Sequence, residues 1–181
     1  MSTKVQLRTE RLLLRAYEET DVSKIVPLLG AWEVVVNTLR VPYPYTERDA
    51  REYVKGGQEQ QVQTRFGIFD GQNGELYGGI GLMPEEQHQR AEIGYWIGHP
   101  YWGRGYATEA AREIVRYGFE TLKLNRIYAG VFEGNLSSTH VLEKLGFKFE
   151  GTLRKHYFKW GKFLDNISYG MLAEDWNRLR Q

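Results

Sequence analysis

Hydrophobic positions follow a strand-like pattern in the first half of the chain. Apolar residues come in short runs and alternations that are bounded by turn residues. This pattern predicts strands over residues 5–15, 65–70, 76–83 and 90–98, with a hairpin loop at Asp70-Gly71-Gln72-Asn73-Gly74. Two helices are predicted between the first two strands, one from Thr20 to Leu29 and one from a cap at Thr46 to about Gln63.

The period changes to that of a helix after Gly105. Apolar residues then recur every three or four positions, at Ala107, Ala110, Ala111, Ile114, Val115, Gly118, Phe119 and Leu122. A strand over 125–132, a helix over 137–145 and a hairpin over 147–158 and 163–172 are predicted to follow. We therefore predict one domain over residues 1–181 of the α/β (α+β) class, in which about four helices flank a mixed central sheet.

The composition excludes several function classes. The chain has no cysteine, which removes disulfide scaffolds, Cys-ligated zinc sites and cysteine nucleophiles. Its 24 Lys and Arg against 23 Asp and Glu give no basic excess for binding nucleic acid. No apolar run approaches the roughly 18 residues of a membrane span. We predict a cytoplasmic globular protein without a metal, nucleic-acid or membrane partner.

The stretch Gly98–Ala110 combines glycines with the predicted start of a helix. Unpaired N–H groups and the helix dipole attract anions at such a place, and Gly103 and Gly105 allow a phosphate close to the backbone. A dinucleotide-binding turn fits poorly, because Thr108 occupies the third glycine position and no acid follows about 20 residues later. A phosphate-binding loop and a plain strand–helix turn both stay open on the glycines alone.

The wider pattern resembles the GNAT N-acetyltransferases. Their diphosphate loop has the form Gln/Arg-x-x-Gly-x-Gly/Ala, and this chain reads Trp102-Gly103-Arg104-Gly105-Tyr106-Ala107, with Trp102 departing from Gln/Arg. The RimJ/RimL-like branch, which includes acetyltransferases of ribosomal-protein N-termini, is the most similar. The segments that carry this resemblance are Arg8-Thr9-Glu10-Arg11-Leu12-Leu13-Leu14-Arg15, Ala91-Glu92-Ile93-Gly94-Tyr95-Trp96-Ile97, Gly105-Tyr106-Ala107-Thr108-Glu109-Ala110, Asn135-Leu136-Ser137-Ser138, Val141-Leu142-Glu143-Lys144-Leu145-Gly146-Phe147 and Glu150-Gly151-Thr152-Leu153-Arg154.

The resemblance implies acetyl-CoA as the co-substrate. It would lie where the parallel strands over 90–98 and 125–132 splay apart, and a backbone N–H near Ile97 or Gly98 would polarise the thioester carbonyl. The residues expected to bind it are Trp96, Ile97 and Gly98 along the pantetheine, Gly103, Arg104, Gly105, Tyr106, Ala107 and Thr108 at the diphosphate, and Asn135 at the pantetheine.

The same resemblance suggests catalytic residues. Glu92 is expected to accept the amine proton, and His156 is the alternative base. Ser138 would donate to the leaving sulfur, because Leu142 stands where many relatives have a tyrosine. Each residue also has a structural interpretation: Glu92 as an ion-paired strand residue, Ser138 as a first-turn helix residue, and His156 as an exposed hairpin residue.

The acceptor site is expected near Trp32, Tyr43 and Tyr45, although ordinary core packing is the simpler interpretation of these aromatic residues. The predicted acceptor is a primary amine, chiefly a protein N-terminal α-amine of ribosomal-protein type. A small amine, a catalytically silent acyl-CoA-binding module and a nicotinamide oxidoreductase are the alternatives. A monomer and a homodimer are both compatible with the sequence.

Overall fold

A computed structural model describes residues 5–180. The described part contains eight strands: β1 (Leu7–Arg8), β2 (Leu12–Arg15), β3 (Arg65–Asp70), β4 (Leu76–Glu85), β5 (Arg90–Ile97), β6 (Arg126–Phe132), β7 (Lys148–Lys159) and β8 (Lys162–Leu172). It also contains six α-helices: α1 (Val22–Leu29), α2 (Trp32–Val35), α3 (Glu47–Gln58), α4 (Tyr106–Glu120), α5 (Leu136–Leu145) and α6 (Ala173–Leu179). The α/β class with a mixed sheet is therefore confirmed.

The helix prediction needs three corrections. There are six α-helices in the described residues rather than about four, because the short α2 and α6 gave no clear helical period. Thr20 does not cap the first helix; a 3-10 turn over Glu19–Asp21 precedes α1, and the capping box is formed by Glu18 with Asp21. Helix α3 ends at Gln58 instead of about Gln63, although its capping box of Thr46 and Asp49 is as predicted.

The chain divides into two compact units. Unit 1 consists of the residues up to Gly81 together with Tyr95–Glu113, and unit 2 consists of Leu82–Gly94 together with the residues from Ile114 onward. Strands β4 and β5 and helix α4 contribute to both. The prediction of a single domain over residues 1–181 stays a prediction.

Unit 1 has the strand order β1-β2-β3-β4-β5, with antiparallel pairing from β1 to β4. Helices α1 and α3 supply apolar side chains to its core, which includes Ile25, Leu29, Val54, Phe69 and Trp96. Burying side chains of this size contributes about 1.5–3 kcal/mol each, and this is the main stabilisation of the unit.

Unit 2 has the strand order β4-β5-β6-β8-β7. Strands β5 and β6 are parallel, whereas β8 is antiparallel to both β6 and β7. The second half of α4 packs closely on the sheet at Gly118, where an added Cβ would lie 2.8 Å from the Cδ1 atom of Ile127.

The parallel pairing of β5 with β6 is short. Its three residue pairs end at Glu92 with Tyr128, whereas β6 stays paired with β8 as far as Phe132. The backbone of β5 that follows Glu92 therefore lies past the paired part, as the resemblance to splayed strands implied.

No helix within residues 5–180 combines the length and the apolar character that crossing a bilayer requires. The same residues contain no group of three or more His, Cys, Asp and Glu side chains that could hold a metal ion. The predicted cytoplasmic location stays a prediction.

Candidate active site

The turn that leads into α4 has the geometry of an anion site. Gly103 and Gly105 have φ angles of +74° and +81°, which L side chains rarely adopt. The Glu109 N–H donates to the Gly105 C=O at 3.1 Å, so this is the first α-helical hydrogen bond. The N–H groups of Tyr106, Ala107 and Thr108 precede it and have no carbonyl within the helix to bond. Together with the helix dipole they can hold a diphosphate.

Three tyrosine rings support this turn in unit 1. Tyr106 stacks on Tyr77 with ring centroids 4.5 Å apart and planes 12° apart, and Tyr101 packs on Tyr77 at the same centroid distance. The Tyr101 hydroxyl donates to Glu75 at 2.7 Å. Burial and this hydrogen bond raise the pKa of Tyr101 to about 12, so its proton stays in place at neutral pH. The Tyr106 ring thus packs on its neighbours, which leaves its N–H as the group that can serve a ligand.

The end of β5 restricts which backbone groups can bind pantetheine. The Gly98 N–H donates to the Tyr77 C=O at 2.8 Å, and the Gly98 C=O accepts from the Tyr101 N–H at 2.9 Å. Gly98 therefore has both backbone groups in use and is a poor donor to a thioester carbonyl. Because successive N–H groups of a strand point to opposite sides, the Ile97 N–H points away from Tyr77 and is the better candidate.

Trp102 stands where the family motif has Gln or Arg, and its role is structural. Its indole N–H donates to the Ile97 C=O at 2.7 Å. The same indole packs edge-on against His99, with ring centroids 4.9 Å apart. The departure from the motif thus supplies a hydrogen-bond donor that fixes the last carbonyl of β5.

Glu92 lies in a charged network of unit 2. It pairs in register with Tyr128 on β6, and both side chains are partly buried. The Tyr128 hydroxyl donates to Glu85 at 2.6 Å, and Arg90 forms a 2.7 Å ion pair with the other oxygen of Glu85. Burial, Glu85 and the negative charge of Glu92 raise the pKa of Tyr128 to about 12. Hydrogen bonds from Arg90 and Tyr128 lower the pKa of Glu85, which therefore stays ionised. Glu92 is thus next to a neutral phenol rather than a competing base.

Asn135 and Ser138 form the cap of α5. The Asn135 side chain accepts a hydrogen bond from the Ser138 N–H at 3.2 Å, which is a standard N-terminal cap. This bond uses the backbone of Ser138 and does not involve its hydroxyl. His156 is exposed in a bulge of β7 and packs edge-on against Tyr157 at 4.6 Å. Within unit 2, its position matches the structural interpretation better than the catalytic one.

The predicted acceptor residues separate into two groups in unit 1. Trp32 and Tyr43 are 44% and 53% exposed and pack edge-on, with ring centroids 5.1 Å apart. Tyr45 instead packs against the unit 1 core beside Tyr53, and burial raises its pKa. The core interpretation therefore fits Tyr45, whereas Trp32 and Tyr43 form a surface.

The structure thus distributes the predicted site residues over the two units. Unit 1 contains the turn, Trp96–Gly98 and the aromatic pair; unit 2 contains Glu92, Asn135, Ser138 and His156. Two features escaped the sequence analysis. The Tyr77–Tyr106 stack joins residues 29 positions apart, and the contacts of Arg11 with Glu109 join residues 98 apart. Motif spacing alone could not pair them.

The family profile of the acetyltransferase (GNAT) domain matches residues 11–148. Among curated proteins, probable N-acetyltransferase YjcK of Bacillus subtilis (strain 168) is 40% identical over 93% of this chain and 98% of its own. The uncharacterized N-acetyltransferase p20 of Bacillus licheniformis is 32% identical over 94% of this chain and 97% of its own. The [ribosomal protein uS5]-alanine N-acetyltransferase of Escherichia coli (strain K12) is 26% identical over 96% and 93%.

Solved structures agree with these sequence matches. An acetyltransferase (GNAT family) from Bacillus anthracis superposes with a TM-score of 0.85 at 28% identity, covering 94% of this chain and 99% of its own. The spermidine N-acetyltransferase of Vibrio cholerae in complex with CoA and spermine gives a TM-score of 0.81 at 26% identity, covering 93% and 99%.

Proposed function

Since the chain belongs to the GNAT family of acetyltransferases, we propose that it transfers an acetyl group from acetyl-CoA to the α-amine of a protein N-terminus. The observation that carries the proposal is the turn before α4, where Gly103 and Gly105 have positive φ angles and three helix N–H groups follow. This geometry fits the diphosphate of CoA, which would lie against Gly103–Thr108 with Arg104 adding a positive charge. Acetyl-CoA supplies an activated thioester when bound.

Three residues of this chain would then donate hydrogen bonds or accept a proton during the transfer. The Ile97 N–H, directed away from Tyr77, would donate to the thioester carbonyl. Glu92 would accept a proton from the incoming amine, directly or through a water molecule. Ser138 would donate a hydrogen bond to the departing sulfur, and its position in the first turn of α5 beside Asn135 supports this role.

An α-amine acceptor suits a single carboxylate base. Its reference pKa is about 8, against about 10.4 for a lysine amine, so a larger fraction is neutral near pH 7.5. The exposed Trp32–Tyr43 pair offers an aromatic surface on which an extended peptide could pack. The uS5-alanine acetyltransferase among the relatives supports an N-terminal acceptor for this chain too.

A small polyamine is the second candidate acceptor. It is favoured by the similarity to the Vibrio cholerae spermidine N-acetyltransferase, which covers 93% of this chain. The higher pKa of its amines demands more of the base, so we rank it below the peptide.

An acceptor screen with acetyl-CoA and thiol detection tests the proposal. The panel contains peptides with free N-termini, including ribosomal-protein sequences, the same peptides with the α-amine blocked, and spermidine. We expect thiol release with free peptides and none with blocked ones. If spermidine is the one acceptor that supports thiol release, the assignment changes to small amines. If none of the tested amines supports thiol release, the chain is not an acetyltransferase of primary amines.

A further inference from the structure

The segment Thr9–Arg11 contacts the diphosphate-binding turn through one arginine. Arg11 donates from Nε to Glu109 at 2.7 Å, and its guanidinium NH1 donates to the Arg104 C=O at 3.0 Å. Arg104 lies between the two glycines of the turn, and Glu109 lies in the first turn of α4. One planar guanidinium thus joins the turn to the helix that it begins.

Arg11 is itself held firmly on both sides. Its backbone N–H donates to Glu109 at 2.9 Å, and its C=O accepts from the Gly71 N–H at 2.8 Å. The Thr9 hydroxyl also donates to Glu109, and Thr9 closes the local turn by accepting from the Leu12 N–H at 3.0 Å. The planar guanidinium fork loses less side-chain freedom for each hydrogen bond than a lysine amine does, so these contacts can define a geometry.

We propose that Arg11 and Glu109 are positioning residues that hold the turn over Gly103–Tyr106 in its anion-binding conformation. The inference rests on the proposed binding of the CoA diphosphate at this turn. The hydrogen bond from Arg11 fixes the direction of the Arg104 C=O. It therefore also fixes the peptide unit that contains this carbonyl, between the two positive-φ glycines. The N–H groups of the turn are thereby ordered before a ligand arrives, and less affinity is lost in ordering them.

A purely electrostatic role makes the opposite prediction for Glu109. Its carboxylate is a negative charge close to an anion site, so removing it should strengthen binding if only charge matters. If Glu109 serves through Arg11, removing it releases the turn and weakens binding. Lysine at position 11 keeps the positive charge but lacks the fork that reaches both partners, so the positioning role is lost there too.

Calorimetric binding of CoA to the full chain tests the proposal without needing an acceptor. Glu109→Ala and Arg11→Lys are each expected to raise the dissociation constant about tenfold, as for the loss of 1.4 kcal/mol. Thr9→Val, which removes the two hydrogen bonds of the Thr9 hydroxyl but keeps those of Arg11, should raise it less. Glu52→Ala and Arg48→Lys, from an exposed ion pair on α3, are the matched controls and should leave it unchanged.

Amide hydrogen exchange of the ligand-free protein tests the positioning role separately from the proposed binding of CoA. Faster exchange over Gly103–Tyr106 in Glu109→Ala and in Thr9→Val is expected, whether or not CoA is the ligand. Failure of the wild-type chain to bind CoA would contradict the proposed function. The exchange rates would still show whether Arg11 and Glu109 hold the turn over Gly103–Tyr106. Tighter or unchanged CoA binding in Glu109→Ala, or unchanged exchange in both variants, would overturn the positioning role.

Discussion

The indole N–H of Trp102 donates a 2.7 Å hydrogen bond to the C=O of Ile97, the last residue of β5. The neighbouring Gly98 has both of its backbone groups in hydrogen bonds. These three contacts occupy the Ile97 C=O and both backbone groups of Gly98, and the Ile97 N–H points away from Tyr77. A residue that departs from the family motif thus helps to set the backbone geometry on which pantetheine binding is proposed to depend.

Trp102→Phe should weaken acetyl-CoA binding about three- to tenfold. A smaller aromatic ring is retained, but the Ile97 C=O loses its donor, and a hydrogen bond of this kind contributes about 0.5–1.5 kcal/mol. Calorimetric titration with acetyl-CoA measures the change. Trp160→Phe, on the turn of the β7–β8 hairpin, is the matched control, and equal effects of both substitutions would contradict a specific role for Trp102.

Gly103→Ala should impair both folding stability and acetyl-CoA binding. The φ of +74° costs an alanine roughly 1–2 kcal/mol, and the added methyl lies on the surface proposed to face the diphosphate. Gly74→Ala is a close control, because Gly74 has φ +72° and an added Cβ at either glycine meets nothing within 4 Å. Thermal melts should show similar destabilisation of both variants, whereas only Gly103→Ala should lose affinity. Equal affinities would place the diphosphate elsewhere.

Glu92→Gln should lower kcat by about 100-fold or more while acetyl-CoA binding is retained, in the range that general-base catalysis contributes. In both proteins the rate should rise with pH as more of the acceptor α-amine, whose reference pKa is about 8, becomes neutral. Steady-state rates between pH 5.5 and 9 with the best acceptor provide the profile. Glu133→Gln, a substitution outside the strands, should behave as wild type. An unchanged kcat in Glu92→Gln would rule out Glu92 as the base.

Ser138→Ala should reduce kcat about tenfold with little change in the KM for acetyl-CoA, because the hydroxyl is proposed to act on the departing sulfur. The cap survives, since Asn135 accepts from the backbone N–H of residue 138. The adjacent Ser137→Ala is exposed and serves as the control for helix effects. If both alanine variants retain full activity, another group protonates the thiolate.

Tyr128 should make the stability depend on pH in alkaline solution. Its pKa rises from 10.0 to about 12 on folding, so between these values the unfolded chain has lost the proton that the folded chain retains. The free energy of unfolding therefore falls as pH rises through this window, and Tyr128→Phe should show a shallower fall.

At neutral pH the Tyr128→Phe variant should be less stable by about 1 kcal/mol, since a partly exposed hydrogen bond to a carboxylate is lost. Urea unfolding at pH 8 and pH 11 measures both effects. A double-mutant cycle with Glu85→Gln isolates the pair, and a coupling energy near zero would contradict the assignment.

Local patterns were sufficient for most elements. The strand over residues 65–70 and the capping box of Thr46 with Asp49 were predicted as they occur, because alternation and capping depend on residues close in sequence. The short helix Trp32–Val35 was missed, since four residues cannot display a helical period. For the candidate site, the turn before α4 could be predicted from glycine spacing, whereas the backbone bonds that occupy Gly98 could not.

The amino-acid sequence by itself determined the mixed α/β class, the order of the strands along the chain, and the glycines and helix start that make an anion site, because each follows from side-chain period or local backbone freedom. Only the tertiary structure decided which N–H groups stay available, that Trp102 bonds to Ile97, and that Arg11 reaches Arg104 and Glu109. These contacts are set by strand pairing and by the burial of residues distant in sequence, and no local pattern encodes them. The proposed diphosphate-binding turn is thus a local motif, whereas the geometry that would make it selective for CoA is a property of the folded chain.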